Sequence, residues 1–373
     1  MRIILSLIGT SLLTNQADNN LRTELNRNAN LLENEMPESL MIKLSWLKQE
    51  ISDLIKKADQ EKLKKLSAEL NSITSFYEIH SPTKDDIHIL IATDTYLAKF
   101  ACEIIQEYLN SKGYTCWHYC APGLNTKSKK DFDEGIKALL LYLDETIPEY
   151  KQRRYEIVFN LTGGFKSLQG FLNTIGTFYA DRIIYIFETG GLIEIPKLPI
   201  SIDQDLFRNY AKEFLLLSKD HFLKKEDVKN IPETLLYEVG SGVYGLSNWG
   251  VLMWNNVKTT ILSQNLINLP AIEFDSRFIR DFKNEDSSKA KIKLNETIAK
   301  AAVIFMEKGI AGLKADGGLQ YEDYQNTNIE SLPLGHFRVT QSLRITCVYL
   351  EDRQKLVLRF YGSHEHIRNN EKV

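Results

Sequence analysis

The sequence predicts an α/β protein with three parts: an N-terminal parallel sheet flanked by helices, a helical connector, and a small C-terminal α+β domain. Up to about residue 202, short β-branched runs alternate with segments of helical period, the pattern of strands covered on both faces by crossover helices. From about residue 271, two helical stretches precede a series of short strands separated by turns. A length of 373 residues accommodates two or three domains, and 43% hydrophobic with 25% charged residues is an ordinary globular composition.

The elements follow in order. "RIILSLIG" reads as a buried first strand rather than a signal segment, because polar "TNQADNN" follows at once and no small-residue cleavage site is present. No stretch approaches the ~18 apolar residues of a membrane span. Residues 21–76 read as long amphipathic helices broken near 34–37, "DIHILIAT" as the second strand, and 96–111 as a helix. "YTCWHYC" reads as a strand, 130–142 as a helix, "YEIVFNL" as a strand, 164–179 as a helix and "RIIYIFE" as a strand. This is a Rossmann-like order, which places ligands at the carboxyl ends of the strands.

Charge and cysteine content narrow the function. A formal net charge of -3 argues against coating nucleic acid by bulk positive charge and leaves room for a focal basic site. Cys102, Cys116, Cys120 and Cys347 are too few for a disulfide framework and suit a reduced, cytoplasmic protein. Cys116, His118 and Cys120 alternate along one strand with no second ligand pair, so they read as core or edge residues and no metal site is expected.

Three turns after strands carry similar chemistry: "GTS" with Thr10 and Ser11, "TDT" with Thr93 and Asp94, and "NLTGGFKS" with Asn160, Thr162, Gly163, Gly164 and Lys166. Glycine lets backbone N–H groups approach an anion, a following helix N-terminus adds about half a unit of positive charge, and lysine adds a point charge. The turns are suited to phosphate. Neither the P-loop spacing nor the G-x-G-x-x-G dinucleotide fingerprint is present, which disfavours ATP hydrolysis and NAD binding.

These residues together resemble a CARF domain, the cyclic-oligoadenylate sensor of CRISPR-associated proteins. The resemblance covers about residues 1–202. It implies that Thr10, Ser11, Thr93, Asp94, Asn160, Thr162, Gly163, Gly164 and Lys166 line the ligand site, with cyclic tetra-adenylate as an allosteric activator rather than a cofactor. An even-numbered ring is two-fold symmetric, so a homodimer is expected. A CARF domain that also degrades its own ligand is a further option.

Residues 203–270 read as a helical connector, with "GSGVYG" as a glycine-punctuated turn. They carry few basic residues at helix starts, which disfavours a base-reading helix. In residues 271–373, two helices with Ser287 or Ser288 as N-cap precede "GLQYEDY", "GHFRVT", "LRITCVYLE" and "KLVLRFYG". From Leu334 onward, seven Arg and Lys stand against four Asp and Glu, with three of the seven histidines of the chain. Cationic side chains at alternate positions of "HFRVT" and in "SLRIT" would share one sheet face and grasp phosphate.

Two helices followed by "HFRVTQSLRITCVYLEDRQKLVLRFYGSHEHI" resemble a RelE-type toxin, a metal-independent ribonuclease that cuts mRNA on the ribosome. The resemblance implies Arg338, Arg344 and Arg359 as charge stabilisers and His364 or His366 in proton transfer. Thr340 stands where the family often has lysine, and the closing tyrosine is missing, which leaves the general base open. "RFYGSH" also matches the R-x4-H signature of HEPN ribonucleases through Arg359 and His364, but on a strand-like rather than a helical stretch. The non-catalytic alternative is a ligand-responsive nucleic-acid-binding regulator.

Overall fold

The chain divides into two compact units, Met1–Ser201 and Ile202–Val373. The computed structural model describes residues 1–187 and 191–371. Glu188, the last residue of the expected strand "RIIYIFE", lies outside them, as do Lys372 and Val373 of the C-terminal segment.

In the first unit, β1 (Arg2–Ile8), β2 (Ile87–Ala92), β3 (Thr115–Cys120), β4 (Glu156–Asn160), β5 (Arg182–Ile186) and β6 (Leu192–Pro196) form one sheet in the order β3-β2-β1-β4-β5-β6. The first five are parallel, as expected; β6 runs antiparallel to β5 at the edge. That strand was not legible because "LIEIP" is short, ends in proline and is largely exposed. Strand β1 is apolar at nearly every position because both its faces are covered. The chain winds to one side of β1 to make β2 and β3, then returns to make β4 on its other side. The carboxyl ends of β1 and β4 therefore form a topological switch point.

The long insertion after β1 breaks near the expected place, between helix Asn19–Arg27 and helix Glu38–Lys57. It breaks twice more, at Asp59 and Ser67, whose side chains cap helices Gln60–Leu66 and Ala68–Ile79. Helix Tyr96–Ser111 has the expected bounds and buries Leu97, Ala101, Ile104 and Ile105. The helix expected over 130–142 extends over Lys129–Gln152, since buried Leu143 and Ile147 continue its apolar stripe. All four cysteines are free thiols; burial raises Cys116 to about 12 and Cys120 to about 11, and β3 is the sheet edge. Among the described residues, no helix is long and apolar enough to cross a membrane.

The second unit holds more sheet than expected. Residues 203–270 carry β7 (Leu223–Lys224), β8 (Leu236–Gly240) and β9 (Val243–Leu246), ordered β7-β9-β8, besides their helices. The turn at Gly240–Gly242 adopts positive φ at 146°, 54° and 76°, which two glycines permit. Helix Asn248–Gln264 packs on helix Ser288–Ala315, whose buried Asn295 donates to the carbonyls of Leu262 and Asn265 at 2.9 Å. Ser287 is the N-cap of the latter helix, its Oγ accepting from Ala290 N at 3.2 Å.

The remaining strands are β10 (Ile272–Phe274), β11 (Glu322–Ile329), β12 (Leu332–Arg338), β13 (Leu343–Leu350) and β14 (Lys355–Ser363), ordered β10-β14-β13-β12-β11. β10 is parallel to β14 and the rest are antiparallel. Phe337, Ile345, Leu358 and Tyr361 are buried, and helix Ser276–Asn284 sets Phe278 against Tyr361 at 6.4 Å between ring centres. After β14, residues His364–Glu371 form a helix whose Ile367 and Glu371 are buried.

Candidate functional site

Two regions gather the residues that the sequence singled out, one in each unit. In the first unit, the turns after β1 and β4 meet so closely that a methyl group on Gly9 would lie 2.7 Å from the backbone nitrogen of Gly164. Gly164 has φ +83°, a conformation that glycine adopts without strain. Thr10, Ser11, Thr14, Thr162, Gly163 and Gly164 line a cleft of about 250 Å³ here, with Ala98 from the helix after β2. The cleft stands at the switch point where an α/β sheet accepts ligands.

The floor of the cleft holds a residue that the sequence did not point to. Glu69, fully buried at the second position of helix Ala68–Ile79, accepts the Gly9 N–H at 2.9 Å and the Ser11 hydroxyl at 2.6 Å. Ser11 Oγ in turn accepts from Ala68 N at 3.1 Å. Any side chain at Gly163 would strike this carboxylate, at 2.2 Å from Oε1. Gln169 ties down the same turn by donating to the carbonyls of Thr162 and Gly163 at 3.2 and 2.9 Å.

The other expected ligand residues have distinct placements. Asn160 is buried, donates to Ser6 Oγ at 3.2 Å and accepts from Thr162 N at 3.3 Å, so it shapes the turn from beneath. Thr162 Oγ1 accepts from Ile186 N. Thr93 is buried beside Thr95, with hydroxyls 3.1 Å apart. Asp94 accepts from Lys99 at 2.6 Å and from Gly123 N at 3.0 Å, pinning the loop after β3. Burial opposes its ionisation, but these two bonds outweigh it and hold its carboxyl below the usual range. Lys166 opens helix Lys166–Tyr179, exposed and without an ion pair among the described residues.

In the second unit, Arg338 on β12 and Arg344 on β13 are direct cross-strand partners. His336 lies opposite Thr346 and two residues from Arg338, so all four share one face of the sheet. The alternation read in "HFRVT" and "SLRIT" therefore converges as expected. Neither Arg338 nor Arg344 has a carboxylate partner among the described residues. Tyr324 of β11 stacks on the His336 ring, 4.4 Å between centres and 26° between planes. Burial, with the Arg344 guanidinium and His364 nearby, holds the His336 imidazole below the ordinary histidine range against the pull of Glu322.

Arg359 is placed differently. The register slips between Thr346 and Cys347, so that Arg359 has no partner residue on β13. Its guanidinium makes a bidentate pair with buried Glu371, Nε to Oε1 at 2.9 Å and Nη2 to Oε2 at 3.0 Å, and Thr346 donates to the same carboxylate at 2.8 Å. Arg359 belongs to β14 and His364 begins the following helix, so the R-x4-H pair shares no helix. His364 is exposed. His366 packs its ring against Phe360 and sets Nε2 3.2 Å from Asp281 Oδ2, without a formed hydrogen bond. Among the described residues, no group of three or more His, Cys, Asp and Glu is arranged to hold a metal ion.

A family model described as "CRISPR-associated protein (Cas_APE2256)" matches residues 64–198. The chain is similar to a CRISPR-associated family. The matched span takes in Glu69, the β2 turn with Thr93 and Asp94, and the whole β4 turn from Asn160 to Lys166. It supports a CRISPR association for this chain. No curated protein matches it.

Glu69 and His336 are the two site residues that sequence reasoning passed over. Glu69 sits in an ordinary-looking helical stretch, "SAELNSI", and only the crossover that carries this helix back along the sheet sets it under the β1 turn. His336 had a usable signal, since it alternates with Arg338 in "HFRVT".

Proposed function

We propose that the chain is an endoribonuclease of a type III CRISPR system, activated when a cyclic oligoadenylate occupies the cleft of the first unit. The observation that carries the enzymatic part is the Arg338–Arg344 pair. Two like charges placed directly opposite on adjacent strands repel each other, at a cost of about 0.2–1 kcal/mol, and nothing described neutralises them. A phosphate between them would remove that repulsion. The order of two helices followed by an antiparallel meander supports a RelE-like reading, with mRNA on the ribosome as the substrate.

The reaction is attack of an RNA 2′-hydroxyl on its own phosphate. The two guanidiniums stabilise the charge that builds on the phosphoryl oxygens, where preorganised donors act most strongly. The cleft at the switch point, with backbone N–H groups and the nearby Lys166, suits the phosphates of a cyclic tetra-adenylate shared across a homodimer axis. The R-x4-H alternative is disfavoured by the commitment of Arg359 to Glu371.

Translating ribosomes with and without cyclic tetra-adenylate provide the test, with cut sites mapped by primer extension and EDTA included in a parallel arm. Ligand-dependent cutting that survives EDTA and fails in Arg344→Ala is expected. Tight RNA binding without cutting under every condition would favour the regulator instead.

A further inference from the structure

We propose that His336, rather than His364 or His366, accepts the proton of the attacking 2′-hydroxyl; the inference rests on the ribonuclease reading. His336 stands half-buried between the Tyr324 ring and the Arg338–Arg344 pair, beside the part of this face where the terminal helix covers Thr346. Its Nδ1 is buried without a hydrogen-bond partner, which leaves Nε2 as the nitrogen to meet a substrate. A base must be unprotonated to work, and burial, with the Arg344 guanidinium beside it, disfavours the protonated form of this imidazole. Stacking on Tyr324 fixes its plane, so that a phosphate drawn in by the arginines brings its 2′-hydroxyl to a held ring.

The other histidines are less suited. His366 is packed against Phe360 and Asp281, and His364 is exposed at the first position of its helix. The groups facing His336 are Glu322 and Tyr324 from β11, Arg338 from its own strand, Arg344 from β13 and His364 from the terminal helix. Only Glu322 carries negative charge among them, and burial together with the cations outweighs it.

The step balances as follows. The O2′–H bond breaks and its proton passes to His336 Nε2. The O2′–P bond forms, the P–O5′ bond breaks, and the leaving oxygen takes a proton from water. The products are a 2′,3′-cyclic phosphate and a free 5′-hydroxyl.

The test uses the full chain with cyclic tetra-adenylate and mRNA-loaded ribosomes, in single-turnover cutting from pH 5 to pH 8. His336→Gln is expected to slow cutting by about 10² to 10⁴-fold while mRNA retention stays at the wild-type level. The wild-type rate should fall as pH drops below 6.5, and His364→Gln should keep that acid limb. Cutting by His336→Gln at the wild-type rate, or loss of the acid limb in His364→Gln, overturns the proposal. A wild-type protein that retains mRNA but never cuts it overturns the ribonuclease reading itself. Histidine Cε1 resonances of the unmodified protein provide an arm independent of activity and of variant folding. His336 titrating below 6.5, and moving upward in Arg344→Ala, is expected; titration at or above 6.5 overturns the proposal.

Discussion

Arg359 and Glu371 form a bidentate ion pair inside the second unit, with side chains only 10% and 1% exposed. A charge buried this deeply depends on its partner. Glu371→Ala or Arg359→Ala should therefore destabilise the unit by about 3–5 kcal/mol, because either leaves an uncompensated buried charge. Replacing both with apolar residues of similar volume, Arg359→Met with Glu371→Leu, should recover most of that loss. Urea unfolding measures the stability, and ligand-activated cutting by the double variant would show that Arg359 acts through the fold. Loss of cutting in a stable double variant would return Arg359 to the catalytic set.

Arg338 and Arg344 should behave in the opposite sense. Either alanine variant relieves a cross-strand repulsion, so stability should stay unchanged or rise by about 0.2–1 kcal/mol. Cutting should nonetheless fall by about 10² to 10⁴-fold, the usual cost of removing a group that stabilises transition-state charge. RNA affinity should also lose part of its salt dependence in each variant. Unfolding curves alongside single-turnover rates check this, and full activity in both variants would remove the pair from the site.

The cleft of the first unit separates shape from charge. Lys166→Ala should weaken cyclic tetra-adenylate by about 1.5–3 kcal/mol, the scale of a charged hydrogen bond, without changing stability. Gly163→Ala should damage the turn itself, since the new methyl would meet Glu69 Oε1 at 2.2 Å and the Leu7 carbonyl at 2.6 Å. Calorimetric titration and thermal unfolding together distinguish the two. Unaltered affinity in Lys166→Ala would take this lysine out of the ligand site.

His88 makes the first unit acid-sensitive. It is fully buried, accepts or donates one bond with the Tyr77 hydroxyl at 2.9 Å, and burial lowers its pKa from 6.5 to about 4. Below pH 6.5 the unfolded chain takes up a proton that the folded ring refuses, so this contribution is complete above 6.5 and falls as pH drops toward 4. Between pH 7 and pH 5 the loss should be about 2 kcal/mol, rising to roughly 3 kcal/mol below pH 4. Urea titrations of the wild type and His88→Leu at both pH values check it: the variant should show the smaller dependence on pH.

Local pattern was enough for much of this protein. Apolar runs such as "RIILSLI" and "IHILIA" can be stable only where both faces are covered, so the parallel sheet was readable before its partners were known. The period in 96–111, the break near 34–37 and the cap at Ser287 depend on neighbours within a turn or two of helix, which is why those boundaries held. Residues with weak local preference did not announce themselves: β6 is held by its ladder with β5, and β10 by Leu356–Leu358 of β14.

The tertiary structure alone decided which charges are free and which are spent. Arg338, Arg344 and Arg359 look alike in sequence, yet a one-residue register slip beside Thr346 directs the last to Glu371 and leaves the first two facing each other. Likewise the sequence marked Asp94 by its place after a strand and left Glu69 unmarked within a helix. The crossover after β1 brings Glu69 beneath Ser11, while Lys99 and Gly123 hold Asp94 to the loop after β3. Alternation along a strand tells which side chains share a face. Only the pairing between strands and the return of distant helices determine what each of those side chains meets there, because register and chain path are set across the whole sheet and not by the pattern within one element.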